Sequence, residues 1–235
     1  MKSNLRSILL ETLHVPSILF TNPFSCIPYA VSSNSGIIID VGAAEGRIAC
    51  YYDGVICEDT LQIVPTGFQS LVAKVLAEIE GVSEDEVYEK IKKKDAAIGR
   101  IVQDLYFSES QDSLLFAFLS SLLQCHIDMR KQVVRNVVFV GGGVEGIPEF
   151  EKLFLKRIHS GFTAAANTTL EDKRHNDKSI WQRFASLAPV IMTAPLSVVR
   201  TSQNRSCMAW IGGSVMGSIK IAGDPWLERD YKINS

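Results

Sequence analysis

Apolar residues recur in two rhythms along this chain, and the alternation between them predicts strands separated by helices. Gly36-Ile37-Ile38-Ile39 is a continuous apolar run, the pattern of a strand buried on both faces. Arg47 to Tyr52 predicts an antiparallel partner across a Val41–Gly46 turn, and Tyr52-Asp53-Gly54 predicts the next turn. Val137-Val138-Phe139-Val140 predicts a further strand, broken by the triplet Gly141-Gly142-Gly143. Leu5 to Leu13 reads as the tail of an apolar helix. Pro16 stops it, because its ring disfavours helical geometry at the residue before it, and Ser17 to Phe20 then reads as strand-like.

Helical spacing fills the intervals. Thr66 with Gln69 predicts a capping box, and Phe68, Leu71, Val72, Val75, Leu76 and Ile79 fall on one face before Gly81. Ser83 with Glu86 repeats that grammar, with Val82 and Val87 placed to staple the entry. The acidic first turn and the later Lys90, Lys92, Lys93 and Lys94 suit the helix dipole, and the lysines read as a solvated face. Leu114 to Leu123 predicts a strongly apolar helix. A short segment from Asp128 leads into the strand at Val137. Ile147-Pro148 predicts another helix with Pro148 at its first position and Leu153, Phe154 and Ile158 inward. Gly161 to Lys178 is polar and reads as a surface loop. Met208 to Ile219 predicts a last helix with two glycines where close packing or a ligand wants no side chain. The class is α/β, without repeats.

Composition narrows the functions. With 235 residues, 46% of them hydrophobic, the chain can form one large domain or two lobes. A net charge of -2 with intermixed signs argues against nucleic acid or an anionic membrane surface as partner. No apolar run reaches the ~18 residues of a membrane span, and the first ten residues lack the features of a signal peptide. Cys26, Cys50, Cys57, Cys125 and Cys207 are odd in number and irregular in spacing, the pattern of reduced thiols in the cytosol or nucleus. His14, His126, His159 and His175 are scattered, with no zinc-type spacing.

The candidate chemistry sits at two turns. Ile38-Ile39-Asp40-Val41-Gly42 puts a carboxylate and a bare backbone at a sheet's carboxyl edge, where phosphate and Mg²⁺ could lie. The same residues make an ordinary hairpin turn with Asp40 bonded to local amides. The glycine triplet could admit a nucleotide at a helix amino end, or serve only packing. Neither a P-loop nor a dinucleotide fingerprint is present. No local Ser-His-Asp arrangement is supported either, so Cys125 beside His126 reads as structural.

Three fragments together carry a family resemblance. Glu11-Thr12-Leu13-His14-Val15-Pro16 resembles the Glu-Thr-Phe-Asn-Val-Pro of actin, with the same spacing, without a gap, from there to Asp40. Cys125-His126-Ile127-Asp128-Met129-Arg130-Lys131 is similar to Cys-Asp-Ile-Asp-Ile-Arg-Lys, followed as in actin by a strand and a glycine turn. Trp210-Ile211-Gly212-Gly213-Ser214 is identical to the actin motif. The chain thus resembles the actin superfamily from about Leu5 to Tyr231, with a divergent middle. Within the superfamily it looks most like the divergent actin-related subunits at the pointed end of dynactin.

The resemblance implies an actin-like fold lacking its N-terminal part, and a division to match. Residues 1–30 would be a remnant of the first lobe with a hinge helix, and 31–66 the second-lobe core. A shortened helical section at 67–106 would stand in for the fourth subdomain, the core would continue over 107–204, and 205–235 would return to the first lobe. The family's water-orienting glutamine falls on Pro23, which has no polar side-chain group. In the second phosphate loop Asp40 and Gly42 match, but Ala43-Ala44-Glu45 replaces Asp-Gly, and the first phosphate loop is absent. Asp40, Gly42, Gly141 and Gly142 are therefore expected to form a vestigial nucleotide site, with Lys90 or Lys92 standing where the family contacts adenosine. No catalytic residue, metal or cofactor is expected, beyond residual ATP or ADP with Mg²⁺. The implied role is a non-catalytic structural subunit in the cytoplasm and cytoskeleton. It would cap dynactin's actin-like filament, contact the other pointed-end subunits and serve dynein indirectly. The alternatives are a nuclear actin-related subunit of a chromatin-remodelling complex and a superfamily ATPase with weak nucleotide binding. The helix around Trp210 is expected to expose apolar surface, giving marginal behaviour or requiring a partner; a soluble, monomeric, cooperatively melting protein would contradict that.

Overall fold

The computed structural model describes residues 2–31, 33–167, 179–201, 203–219 and 227–228. In chain order the helices are α1 (Lys2–Ser7, continued by a π turn over Ile8–Thr12), α2 (Pro23–Ala30), α3 (Phe68–Glu78), α4 (Glu84–Lys92), α5 (Ala96–Tyr106), α6 (Leu114–Gln124), α7 (Ile127–Val133), α8 (Gly142–Gly146), α9 (Phe150–Asn167), α10 (Ile180–Arg183), α11 (Ala188–Thr193) and α12 (Met208–Ile219). The strands are β1 (Ser17–Ile18), β2 (Gly36–Val41), β3 (Gly46–Tyr52), β4 (Val55–Ile56), β5 (Gln62–Val64), β6 (Asn136–Val140), β7 (Ser197–Val198) and β8 (Leu227–Glu228). The chain is α/β, and its main sheet is mixed. The order is β4-β3-β2-β6-β7, with β5 also on β3; β2, β6 and β7 run parallel, and β3 is antiparallel to β2.

Both faces of this sheet are covered, which is why its strands are continuously apolar. Ile37, Ile39, Ile48, Cys50, Val137 and Phe139 point into the larger core, built with α3 to α7 and α9 to α11. Ile38, Ala49, Tyr51, Val138 and Val140 point the other way, onto Phe24 and Ile27 of α2 and Met208 of α12. Successive side chains alternate between the two layers, as the pleat dictates. The larger core is held by edge-to-face rings, with Phe154 meeting Phe107, Phe118 and Phe139 at 5.4 to 5.8 Å.

Most predicted elements are present: the β2–β3 hairpin, the Asp53-Gly54 turn with both φ positive, and the reciprocal Ser83–Glu86 capping box. Three readings need correction, and one helix was not expected. Thr66 does not cap α3. Gly67 stands at that position, because the chain passes too close to residues 43–45 for a side chain, and the Thr66 hydroxyl is buried with no partner among the described residues. Pro148 does not open α9. It lies in a turn with Glu149, whose φ is 59°, while a separate short helix α8 forms earlier, over the glycines themselves. Helix α9 continues through Gly161 to Asn167, because Gly161 and Phe162 pack on Trp181; residues 168–178 of the expected loop lie outside the described residues. Helix α2 had no sequence expectation, yet Asn22 caps it on the Phe24 amide at 3.0 Å and Pro23 takes its first turn.

The apolar surface expected near Trp210 is present. Helix α12 is apolar on every side but buries only Met208, Gly212 and Met216, leaving Trp210 76% exposed and Val215 and Ile219 open. Helix α1 buries none of its residues, and Leu5, Ile8 and Leu13 are exposed. No helix among the described residues is long and apolar enough to cross a membrane.

Candidate functional site

Parallel pairing of β2 with β6 brings the two candidate turns together. Asp40 is the register partner of Val140, so residues 40–42 and 140–142 leave the sheet side by side at its carboxyl edge. Asp40 shares the strand face of Ile38 and Val140, the side covered by α2 and α12. Gly141 adopts φ 93°, and a Cβ there would collide with the Asp40 carboxylate and the Val41 carbonyl. A Cβ at Gly143 would lie 2.8 Å from the Val41 oxygen, whereas one at Gly142 would meet nothing. Gly141 is therefore required by close approach and by backbone conformation together.

Part of the backbone around this edge is already engaged, including the amides of Gly42 and Gly141. Gly42 N–H donates to the Glu45 carbonyl at 3.0 Å, closing the turn. The Gly42 and Ala43 carbonyls accept from Phe68 and Gln69 N–H at 2.9 and 2.8 Å, so the amino end of α3 is capped by the loop. Tyr106 donates from its buried hydroxyl to the Gly67 carbonyl at 3.0 Å, fixing the same junction. On the other turn, Gly141 N–H donates to the Arg205 carbonyl at 3.2 Å. Arg205 N–H in turn donates to Glu145 at 2.5 Å, and its guanidinium pairs with Glu151. The Arg205–Cys207 turn is thereby clamped onto the glycine segment.

Electrostatics at Asp40 are unfavourable for a bound phosphate. Burial pushes its carboxyl above the usual range, Arg47 opposes this, and Glu45 adds to it. Arg47 is Asp40's cross-strand partner, but its guanidinium is taken by Glu45, with Nε donating to that carboxylate at 2.6 Å. Asp40 accepts no hydrogen bond from a described side chain or amide, so the hairpin reading with locally bonded Asp40 does not hold in that detail. A folded pKa raised above the unfolded one gives a contribution to stability that is full below the unfolded value and lost as pH rises through the folded value. Asp40→Asn should therefore raise the melting temperature at pH 7. The gain should shrink as the pH falls through the carboxylate range, and a gain independent of pH would contradict this origin.

No protein-family model matches the chain. Of the residues singled out in the sequence, the structure joins Asp40, Gly42 and Gly141 into one contact region with Gly142 at its open side. Pro23 is exposed at the start of α2. Lys92 is exposed and paired with Glu89 at 3.0 Å within its own helix, whereas Lys90 is half-buried on the same helix. Cys125 is buried next to Cys50 as a structural thiol, while His126 lies at the surface 3.4 Å from Asp128. Among the described residues no group of three or more His, Cys, Asp or Glu is placed to hold a metal.

Sequence reasoning did not find the clamp by Arg205, Glu145 and Glu151. Its partners are separated by about sixty residues and belong to no motif. What the arrangement offers chemically is a carboxylate beside a bare glycine turn, with the Gly42 and Gly141 amides engaged by protein carbonyls. Ala43 and Ala44 are exposed and present only methyl groups.

Proposed function

We propose that the chain is a non-catalytic, actin-like structural subunit, most like actin-related protein 10 of the dynactin pointed end. One observation carries this reading: Asp40 and Gly141 abut at the ends of adjacent parallel strands. This is the juxtaposition an actin-type nucleotide edge requires, but here the Gly42 and Gly141 amides are already engaged by the Glu45 and Arg205 carbonyls. The placement of the resembling fragments supports it. Gly36 to Gly42 forms β2 and its exit, Cys125 to Lys131 forms α7 and its approach, and Trp210 to Ser214 lies in α12 against the same sheet. Such a fold serves as an assembly block: it docks by one face on the actin-like filament and by another on the pointed-end subunits. Dynein-driven transport along microtubules, in the cytoplasm and on the cytoskeleton, follows from that placement. Residual ATP or ADP with Mg²⁺ would rest on Asp40, Gly42, Gly141 and Gly142.

The test is quantitative purification of a tagged chain from cytosolic and nuclear extracts. Near-stoichiometric recovery of dynactin filament and pointed-end subunits is expected. Recovery of remodelling subunits instead would replace this reading with the nuclear one. ATP turnover above a protein-free control would overturn its non-catalytic part.

A further inference from the structure

A groove runs between α5 and α9, away from the sheet edge. Asp95, Gly99, Val102 and Gln103 line one wall, and Glu149, Leu153, Lys156 and Ser160 line the other. Each set is spaced three, four or seven residues apart, or differs by one, so each wall is a single stripe of helix surface. Cavities of about 140 and 200 Å³ open along it, and Leu153 lines both. Asp95 lies at the Glu149 end and Gln103 at the Arg157 end, so the two helices run in the same direction past it.

Gly99 is the informative position. It lies inside α5, where glycine costs about 1 kcal/mol relative to alanine. Among the described residues a Cβ there would meet no atom within 4 Å, and its φ is not positive, so neither their packing nor its conformation calls for glycine. The missing side chain deepens the trough where an outside group could enter.

The two ends differ in character. At the first, Ile98, Ile147 and Pro148 form an apolar floor. Lys94 and Glu149, both left-handed at φ 57° and 59°, pair at 3.1 Å across its mouth and cancel in charge. At the second, Lys156 has no carboxylate within ion-pair distance among the described residues. Arg157 beside it is held over the Trp181 ring at 5.0 Å, with Glu109 only at 3.8 Å. The trough is thus apolar at one end and cationic at the other.

We propose that this trough docks an amphipathic helix of a partner protein. Its apolar side chains would enter beside Gly99, and its acidic C-terminal turn would lie at Lys156 and Arg157. An acidic carboxyl end is favoured because carboxylates and the negative end of a helix dipole both meet the unpaired cation. The eleven residues of α5 set a groove length of about 16 Å, or three turns of a docked helix. This inference stands independently of the actin-like reading, and its test uses no dynactin component.

The experiment selects a display library of twelve-residue helical peptides against the full chain and measures the selected peptides by fluorescence anisotropy. Enrichment of apolar residues at helical spacing ahead of an acidic carboxyl end is expected. Binding should weaken at least ~10-fold in both Gly99→Trp and Lys156→Glu, since the first fills the space beside Gly99 and the second inverts the charge. Gly99→Ala should raise the melting temperature while weakening binding, an opposition that a purely structural glycine would not produce. If no peptide is enriched, or if selected peptides bind Gly99→Trp and Lys156→Glu as they bind the parent, the groove is not a docking site.

Discussion

Gly212→Ala is expected to lower stability by about 3 kcal/mol, roughly 6–12 °C in melting temperature for a chain of this size. Helices α2 and α12 lie backbone to backbone at this point, and a methyl on Gly212 would overlap the Cys26 carbonyl. The obstacle is main chain, so no side-chain rotation relieves it and the two helices must separate. Separation would loosen the smaller core, where Phe24, Ile27 and Met208 cover the sheet. Differential scanning calorimetry of the variant checks this, and a melting temperature within about 1 °C of the parent would show that α12 does not pack on α2 in this way.

Phe154→Ala is expected to cost more still, about 3–5 kcal/mol. The ring is fully buried, and its neighbours Phe107, Phe118 and Phe139 come from three separate segments. Their rings cannot all collapse inward, since each is also fixed by its own strand or helix, so a cavity remains. Chemical denaturation should give a lower midpoint with the slope unchanged, because the surface exposed on unfolding is nearly the same. A loss below about 1 kcal/mol would mean that the cluster repacks freely.

These two sites illustrate which parts of the structure the sequence made legible. Phe154 and Ile158 fall at helical spacing, so their inward direction is legible in the sequence. The Ile37–Ile39 run announced a strand covered on both faces, and Ser83 with Glu86 announced the start of α4. Such signals are local, arising from periodicity and from backbone groups within three or four residues. Gly67 capping α3 was not legible, because the reason for it is the approach of residues 43–45 from another segment. A local Thr66–Gln69 pattern was overruled by that tertiary contact. The candidate site divides in the same way. Asp40 and the glycines were visible as turn residues after strands, whereas the Arg205 carbonyl on Gly141 depends on how distant turns stack. Among the described residues no hydrogen bond reaches Asp40, and no spacing rule contains that.

The parallel pairing of β2 with β6 also sets an order of events during synthesis. Ile37 finds Cys50 across a hairpin that is complete soon after both residues leave the ribosome. Its other neighbour, Val137, lies a hundred residues downstream, beyond five helices. At translation rates of about 5–20 residues per second, the open edge of β2 waits roughly 5–20 s for its partner. Throughout that interval Ile37, Ile38 and Ile39 form an apolar strand with one side unpaired, the kind of edge that recruits other chains. The strand that later anchors the candidate site is thus, for the nascent chain, the segment most in need of shielding by a chaperone.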